Sequence, residues 1–143
     1  MSQAPSQEVL EVLENVFQEE MGGVIRYLHY SFMIMGHNRI PIQKWFRDQA
    51  QEGMNHAIMV GEKITSYGGH PTLKAAEVPE TNSHQIDKIL EECIAFEGKA
   101  LELYKKLARM AEDDIALEEL ARQLVKEETE HLDEINKMLR KSK

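Results

Sequence analysis

Residues 117–135 read LEELARQLVKEETEHLDEI. Leu117, Leu120, Leu124, Leu132 and Ile135 recur at the three-four spacing of one helix face. Glu128 and His131 fall on that same face, one turn apart, so both side chains can reach one metal ion. A carboxylate carried into an apolar core costs several kcal/mol unless something compensates it. On a solvated face the same Glu-x-x-His spacing arises by chance in an acid-rich chain, so the weight of the pair depends on what the other segments supply.

Three more segments carry the helical period. The spacing predicts helices over about 7–35 (α1), 41–67 (α2), 83–112 (α3) and 115–140 (α4). Ser6 is placed to cap α1, with Glu8 in its first turn, and Gly36 stops it. The apolar stripe of α1 reads Leu10, Leu13, Phe17, Val24, Leu28 and Ser31. Pro41 suits the first turn of α2, whose stripe is Phe46, Ala50, Ala57, Val60 and Ile64. Gly68-Gly69 ends it. Asn82-Ser83 marks the start of α3, with Ile86, Leu90, Cys93, Ala100, Leu101, Tyr104 and Leu107 inward. Asp113-Asp114 separates α3 from α4 and caps the latter. The stretch from Gly68 to Asn82 holds Pro71 and Pro79, shows no helical period, and is longer than antiparallel neighbours need. The expectation is an all-α four-helix bundle with a long crossover between the second and third helices, a single domain over 1–143.

The bulk properties agree with that class. The common residues favour helix, and Gly and Pro are few. A net charge of −8 argues against a nucleic-acid surface, which needs clustered Lys and Arg. One cysteine, Cys93, permits no internal disulfide and no cysteine-built metal centre, and it fits a reducing cytosol. The start, MSQAPSQEVLEVLE, is polar and acidic and shows no signal peptide. No apolar run approaches the ~20 residues that cross a bilayer. A cytoplasmic location is expected.

Polar residues recur on the other stripes as on α4. Glu20 lies between Phe17 and Val24, and Glu97 between Cys93 and Leu101, while His56 is on the inner face of α2. The two halves echo each other. Tyr27 follows Glu20 by seven residues and Tyr104 follows Glu97 by seven; His56 comes 36 after Glu20 and His131 comes 34 after Glu97. Converging carboxylates repel, and a divalent cation resolves both the repulsion and the burial. One Glu from each of two helices, with Glu-x-x-His from the other two, is the plan of a di-iron carboxylate site. Oxygen-rich donors with one imidazole per metal suit iron or manganese better than structural zinc.

The runs Gln18-Glu19-Glu20 to Tyr27, Glu52 to Ala57, Gly68-Gly69-His70-Pro71-Thr72 and Glu127 to His131 resemble those of bacterioferritins, and more distantly rubrerythrins. The resemblance spans roughly residues 10 to 135 and implies a ferritin-like fold. It implies oxidation of ferrous iron by oxygen or peroxide, with storage of the ferric product. Carried over residue by residue, Glu20 and Glu97 become terminal carboxylates and Glu128 the bridge. His56 and His131 each bind one iron, and Tyr27 becomes a redox or supporting partner. Met54 stands where this family places a methionine that ligates haem at a dimer axis. Pairing along the first two helices, at least as a homodimer, is also implied.

The sequence departs from that pattern at Gly53, where the family has a second bridging Glu. A mid-helix glycine costs about 1 kcal/mol relative to Ala and gives no ligand. At 100° per residue, position 52 lies ~40° to one side of His56 and position 53 ~60° to the other. Glu52 is therefore a candidate ligand in its place, or a solvent-facing residue that leaves one metal or a weakened second one. The chain also stops at Arg140-Lys141-Ser142-Lys143, without the short fifth helix of bacterioferritins, which puts a large cage in question. Four readings follow: a ferroxidase, a haem-binding or electron-transfer protein with an impaired di-iron site, a rubrerythrin-like peroxidase, and a metal-free structural bundle.

Overall fold

In the computed structural model, which describes residues 5–140, the Ser6 hydroxyl accepts from the Val9 N–H at 3.2 Å and opens α1, Gln7–Met33. A turn follows in which Gly36 takes φ +111°, a conformation that costs a glycine little. Then α2 runs over Arg39–Ser66, with Pro41 in its first turn. After a crossover at 67–85 come α3, Ile86–Met110, and α4, Ile115–Leu139. Asp114 caps α4 by accepting from the Leu117 N–H at 3.1 Å, and the Tyr67 hydroxyl donates to its other oxygen, tying the end of α2 to the start of α4. The fold is all-α, and no strand occurs among the described residues. The polar start and basic end read above lie partly outside them, at 1–4 and 141–143.

The helices pack as two pairs, α1 on α2 and α3 on α4, with α1 also against α3. Contacts across the bundle run in opposite directions along the chain. Tyr27 meets Phe46 while Gly53 faces Glu20, and Tyr27 meets Glu97 while Tyr104 meets Glu20. Hence α1 is antiparallel to both α2 and α3. The crossover is strapped along α1. The Ala76 N–H donates to the Gln18 carbonyl at 2.9 Å, the Thr72 N–H to Glu14 at 3.0 Å, and His84 Nδ1 meets the Met33 carbonyl at 2.8 Å. That last bond satisfies a carbonyl left free at a helix end.

Two details differ from the sequence reading. Helix α3 starts at Ile86 rather than at Ser83, because Asn82 has φ +56°, in the left-handed region, where a helix does not begin. On α1 the buried face is Val9, Val12, Leu13, Val16, Glu20, Tyr27 and Tyr30, and Leu28 is 43% exposed. The second half of α1 is apolar on two faces, and periodicity alone chose the outer one there. No helix among the described residues is long and apolar enough to cross a membrane.

The core divides. One apolar cluster gathers Val9, Leu13, Val16, Val60, Ile64, Leu107, Leu117 and Leu124; the other gathers Tyr30, Ile34, Phe46, Ile89, Leu90, Cys93 and Ile135. Buried charged side chains occupy the bundle interior as well: Glu20, His56, Glu97 and Glu128 are each at most 6% exposed.

Candidate metal centre

Each helix delivers its polar residue because the side chain replaces an apolar one on the buried stripe. Those four side chains, with Glu19 and the partly exposed His131, line one cavity of about 20 Å³, room for a water molecule or an ion. Tyr27, Tyr104, Gln49 and Gly53 also face it.

The echo between the halves is present in space. The Tyr27 hydroxyl of α1 donates to Glu97 on α3, and the Tyr104 hydroxyl of α3 donates to Glu20 on α1. The histidines repeat the exchange on the other diagonal. His56 Nε2 lies 2.6 Å from Glu127 Oε2 on α4, and His131 Nε2 lies 2.8 Å from Glu52 Oε2 on α2. Their other ring nitrogens turn to carboxylates of the cavity. His56 Nδ1 is 3.5 Å from Glu20 Oε1, and His131 Nδ1 is 3.9 Å from Glu128 Oε1. Glu52 also stands 3.7 Å from His56 Nε2, but neither Glu52 nor Glu127 lines the cavity, and both keep some exposure.

Burial governs the protonation of this centre. It pushes the Glu97 carboxyl up to about 8, with the Glu20 charge adding to the rise and the bond from Tyr27 opposing it. Burial alone would lower His56; the hydrogen bonds and charges of Glu20 and Glu127 outweigh it and raise the imidazole to about 9. Both tyrosines are held far above their ordinary value, by burial first and by the carboxylates they contact next. They are neutral donors here.

The donors fit a divalent cation. Two trios have ligand atoms within 4.8 Å of one another: Glu97 with Glu128 and His131, and Glu52 with His56 and Glu127. Glu128 Oε1 is buried and has no hydrogen-bond partner, and Gln49 Oε1 is in the same condition. A buried acceptor left without a donor is costly, and a cation in the cavity satisfies it.

Of the residues singled out from sequence, the structure brings Glu20, His56, Glu97, Glu128, His131 and Tyr27 to one cavity. It sets Glu52 behind His131. Met54 is apart, 37% exposed on the outer side of α2 with Ile58 one turn on. Sequence reasoning did not single out Glu127, Gln49 or the hydroxyl of Tyr104 as site groups. The Tyr104 role was signalled by its seven-residue spacing from Glu97. The Glu127 role depends on how α2 and α4 are offset, which no local pattern carries.

The sequence matches the model of the ferritin-like domain over residues 10–143. In structure the chain is similar to a ferritin-like, di-iron-carboxylate protein from Bacillus anthracis, with 25% identity and a TM-score of 0.85 over 98% of this chain and 100% of that one. It is similar in fold to the bacterioferritin of Rhodobacter capsulatus, at 22% identity and TM-score 0.84, over 96% and 86% of the two chains. A dodecameric thioferritin from Bacteroides fragilis, a bacterioferritin-related protein, gives 20% identity and TM-score 0.86 over 95% and 87%. No curated protein matches the chain by sequence.

Proposed function

We propose, from the premise that this chain belongs to the ferritin-like domain family, that it takes up ferrous iron in the bundle cavity and oxidises it. The observation that carries the reading is the Glu128 carboxylate: buried, lining the cavity, and with one oxygen that has no hydrogen-bond partner. In the balanced reaction two ferrous ions each give up one electron, and dioxygen takes both electrons with two protons to leave as hydrogen peroxide. Peroxide itself, as the oxidant, would take the two electrons and two protons and leave as water.

The side chains divide the work. Glu20 with His56 and Glu97 with His131 would each hold one ion, with Glu128 between them. Glu127 and Glu52 receive the outer N–H of His56 and His131, which fixes each imidazole with Nδ1 toward the cavity. Glu52 serves here as a positioning residue for His131. The hydroxyls of Tyr27 and Tyr104 hold one oxygen each of Glu97 and Glu20, leaving the second oxygen for iron. When ferrous iron enters, the proton held on Glu97 must leave, so binding releases protons.

Anaerobic titration with ferrous iron followed by admission of oxygen tests this. The wild-type chain should bind ferrous iron in the cavity and form ferric product rapidly, and Glu128→Gln should lose both properties while keeping its helical spectrum. Equal binding and oxidation by Glu128→Gln would overturn the assignment. Glu52→Gln should weaken one binding step by ~10- to 100-fold, the range expected when an outer partner of a histidine ligand is lost.

A further inference from the structure

The two-fold echo breaks at one place. Matching His56 to His131 sets α2 beside α4 with an offset of 75 residues, which pairs Gly53 with Glu128 and Gln49 with Leu124. The half that lacks the carboxylate carries a polar side chain one turn earlier, where the other half has a leucine. Leu124 is 0% exposed in the apolar core. Gln49 is 9% exposed, faces the same cavity as Gly53, Glu97 and Glu128, and its Oε1 has no donor.

Helical side chains lean toward the N-terminus of their own helix, so a carboxylate at 53 would be carried back over the turn that contains 49. Both positions therefore serve one wall of the cavity. At 100° per residue Gln49 also projects within ~20° of His56. Two oxygen acceptors, Gln49 Oε1 and Glu128 Oε1, are thus buried without a hydrogen-bond partner, and both residues line one small cavity. A cation supplies what both lack.

We infer that Gln49 Oε1 is a metal ligand: a neutral oxygen donor in the place of the carboxylate that Gly53 does not provide. The inference rests on the cavity being a metal site. It has a definite consequence for charge. With Glu127 and Glu52 holding the histidines and Glu19 paired with Lys99, Glu20, Glu97 and Glu128 set three negative charges against two divalent cations. The first ion is therefore held well and the second loosely, as suits a cargo that moves on.

Calorimetric titration with Co²⁺, which air does not oxidise in such a donor set, reads this without turnover. Gln49→Leu, which reproduces the residue at 124, should weaken one of two binding steps by at least ~10-fold and spare the other. Gln49→Glu, adding a charge at the same atom, should tighten that step. If Gln49→Leu leaves both steps unchanged, the inference fails. If Gln49→Glu weakens binding, the amide is a hydrogen-bond donor to Glu128 and again no ligand. Should Gln49→Leu not fold, the sign of the Gln49→Glu effect decides alone. Glu128→Gln separates the two levels: a wild-type chain that binds no Co²⁺, or a Glu128→Gln variant that binds it unchanged, overturns the metal site and with it the Gln49 ligand. Loss in Glu128→Gln but not in Gln49→Leu overturns the ligand only.

Discussion

Gly53 is the residue on which the chemistry of the centre turns. A Cβ there would stand 3.2 Å from Val24 Cγ2 and 3.7 Å from Glu20 Oε2, so the helices are close where the side chain is missing. Gly53→Glu would press on Val24 and set a second carboxylate beside Glu20. Without metal the variant should be less stable than wild type by about 1–3 kcal/mol, from crowding and charge repulsion. With saturating Co²⁺ the order should reverse, because the added carboxylate then meets cations. Thermal melts with and without metal check both signs; destabilisation that metal does not reverse would mean that a carboxylate at position 53 does not reach the bound ions. The residues that carry their message in local spacing were legible: Glu-x-x-His on α4, and the Glu20–Tyr27 and Glu97–Tyr104 steps. Gln49 was not, because a glutamine at helical spacing reads equally as surface or core, and only its orphaned oxygen distinguishes it.

At the scale of elements, helix existence was legible and helix relation was not. Capping by Ser6 and Asp114, and the stop before Gly68, are local chemistry written in adjacent residues. The crossed pairs Glu127–His56 and Glu52–His131 depend on the axial offset of α2 against α4, which packing sets after the helices form. The outward Leu28 has the same cause, since which apolar face turns inward is decided by the neighbour. The crossover is the element with the clearest mechanical dependence. Ala76 Cβ and its carbonyl lie 3.0 Å from where a Cβ on Gly22 would be, and the Ala76 N–H bonds the Gln18 carbonyl four residues back on α1. Gly22→Ala should therefore push the strap off α1. The change should cost about 1–3 kcal/mol despite the better helix propensity of alanine. Denaturant unfolding measures the loss, and protease cleavage within 72–82 should accelerate. A variant as stable as wild type would show that the strap is not held at this contact.

The whole molecule couples folding to protons and metal. Glu97, raised to about 8, and His56, raised to about 9, both bind protons more tightly folded than unfolded. The sign follows from linkage: a folded state that binds more protons loses stability as pH rises. The Glu97 contribution falls away from about 4.5 up to about 8. The favourable charge of His56 is complete below about 6.5 and is lost as pH passes about 9. Metal-free protein should thus melt at lower temperature at about pH 9 than at about pH 6, its stability falling by up to ~1.4 kcal/mol per group for each pH unit crossed. Divalent metal displaces those protons, so the rise in melting temperature on adding metal should grow with pH. A metal-free melting temperature that climbs over this range would contradict the protonation assigned to Glu97 and His56.

Assembly is the property that the isolated chain leaves most exposed. Ile25, Leu28 and Phe32 form a stripe along α1 at three-four spacing, continued by Met35 just past its end, each at least 43% exposed. Arg47 of α2 lies over the Phe32 ring at 5.3 Å, so the stripe borders the seam between the two helices. A contiguous apolar face of this kind marks an interaction surface. Among the described residues these side chains stay exposed, and a second copy meeting them two-fold would match apolar to apolar by symmetry. The chain is expected to be at least a homodimer through this face. Leu28→Lys combined with Phe32→Lys should give monomers at micromolar concentration by sedimentation. Because both side chains already face solvent in the single chain, the helical spectrum and the metal stoichiometry should survive. Wild-type protein that sediments as a monomer would refute the interface. Dissociation accompanied by loss of helix would place Leu28 and Phe32 in the fold itself, contrary to their exposure.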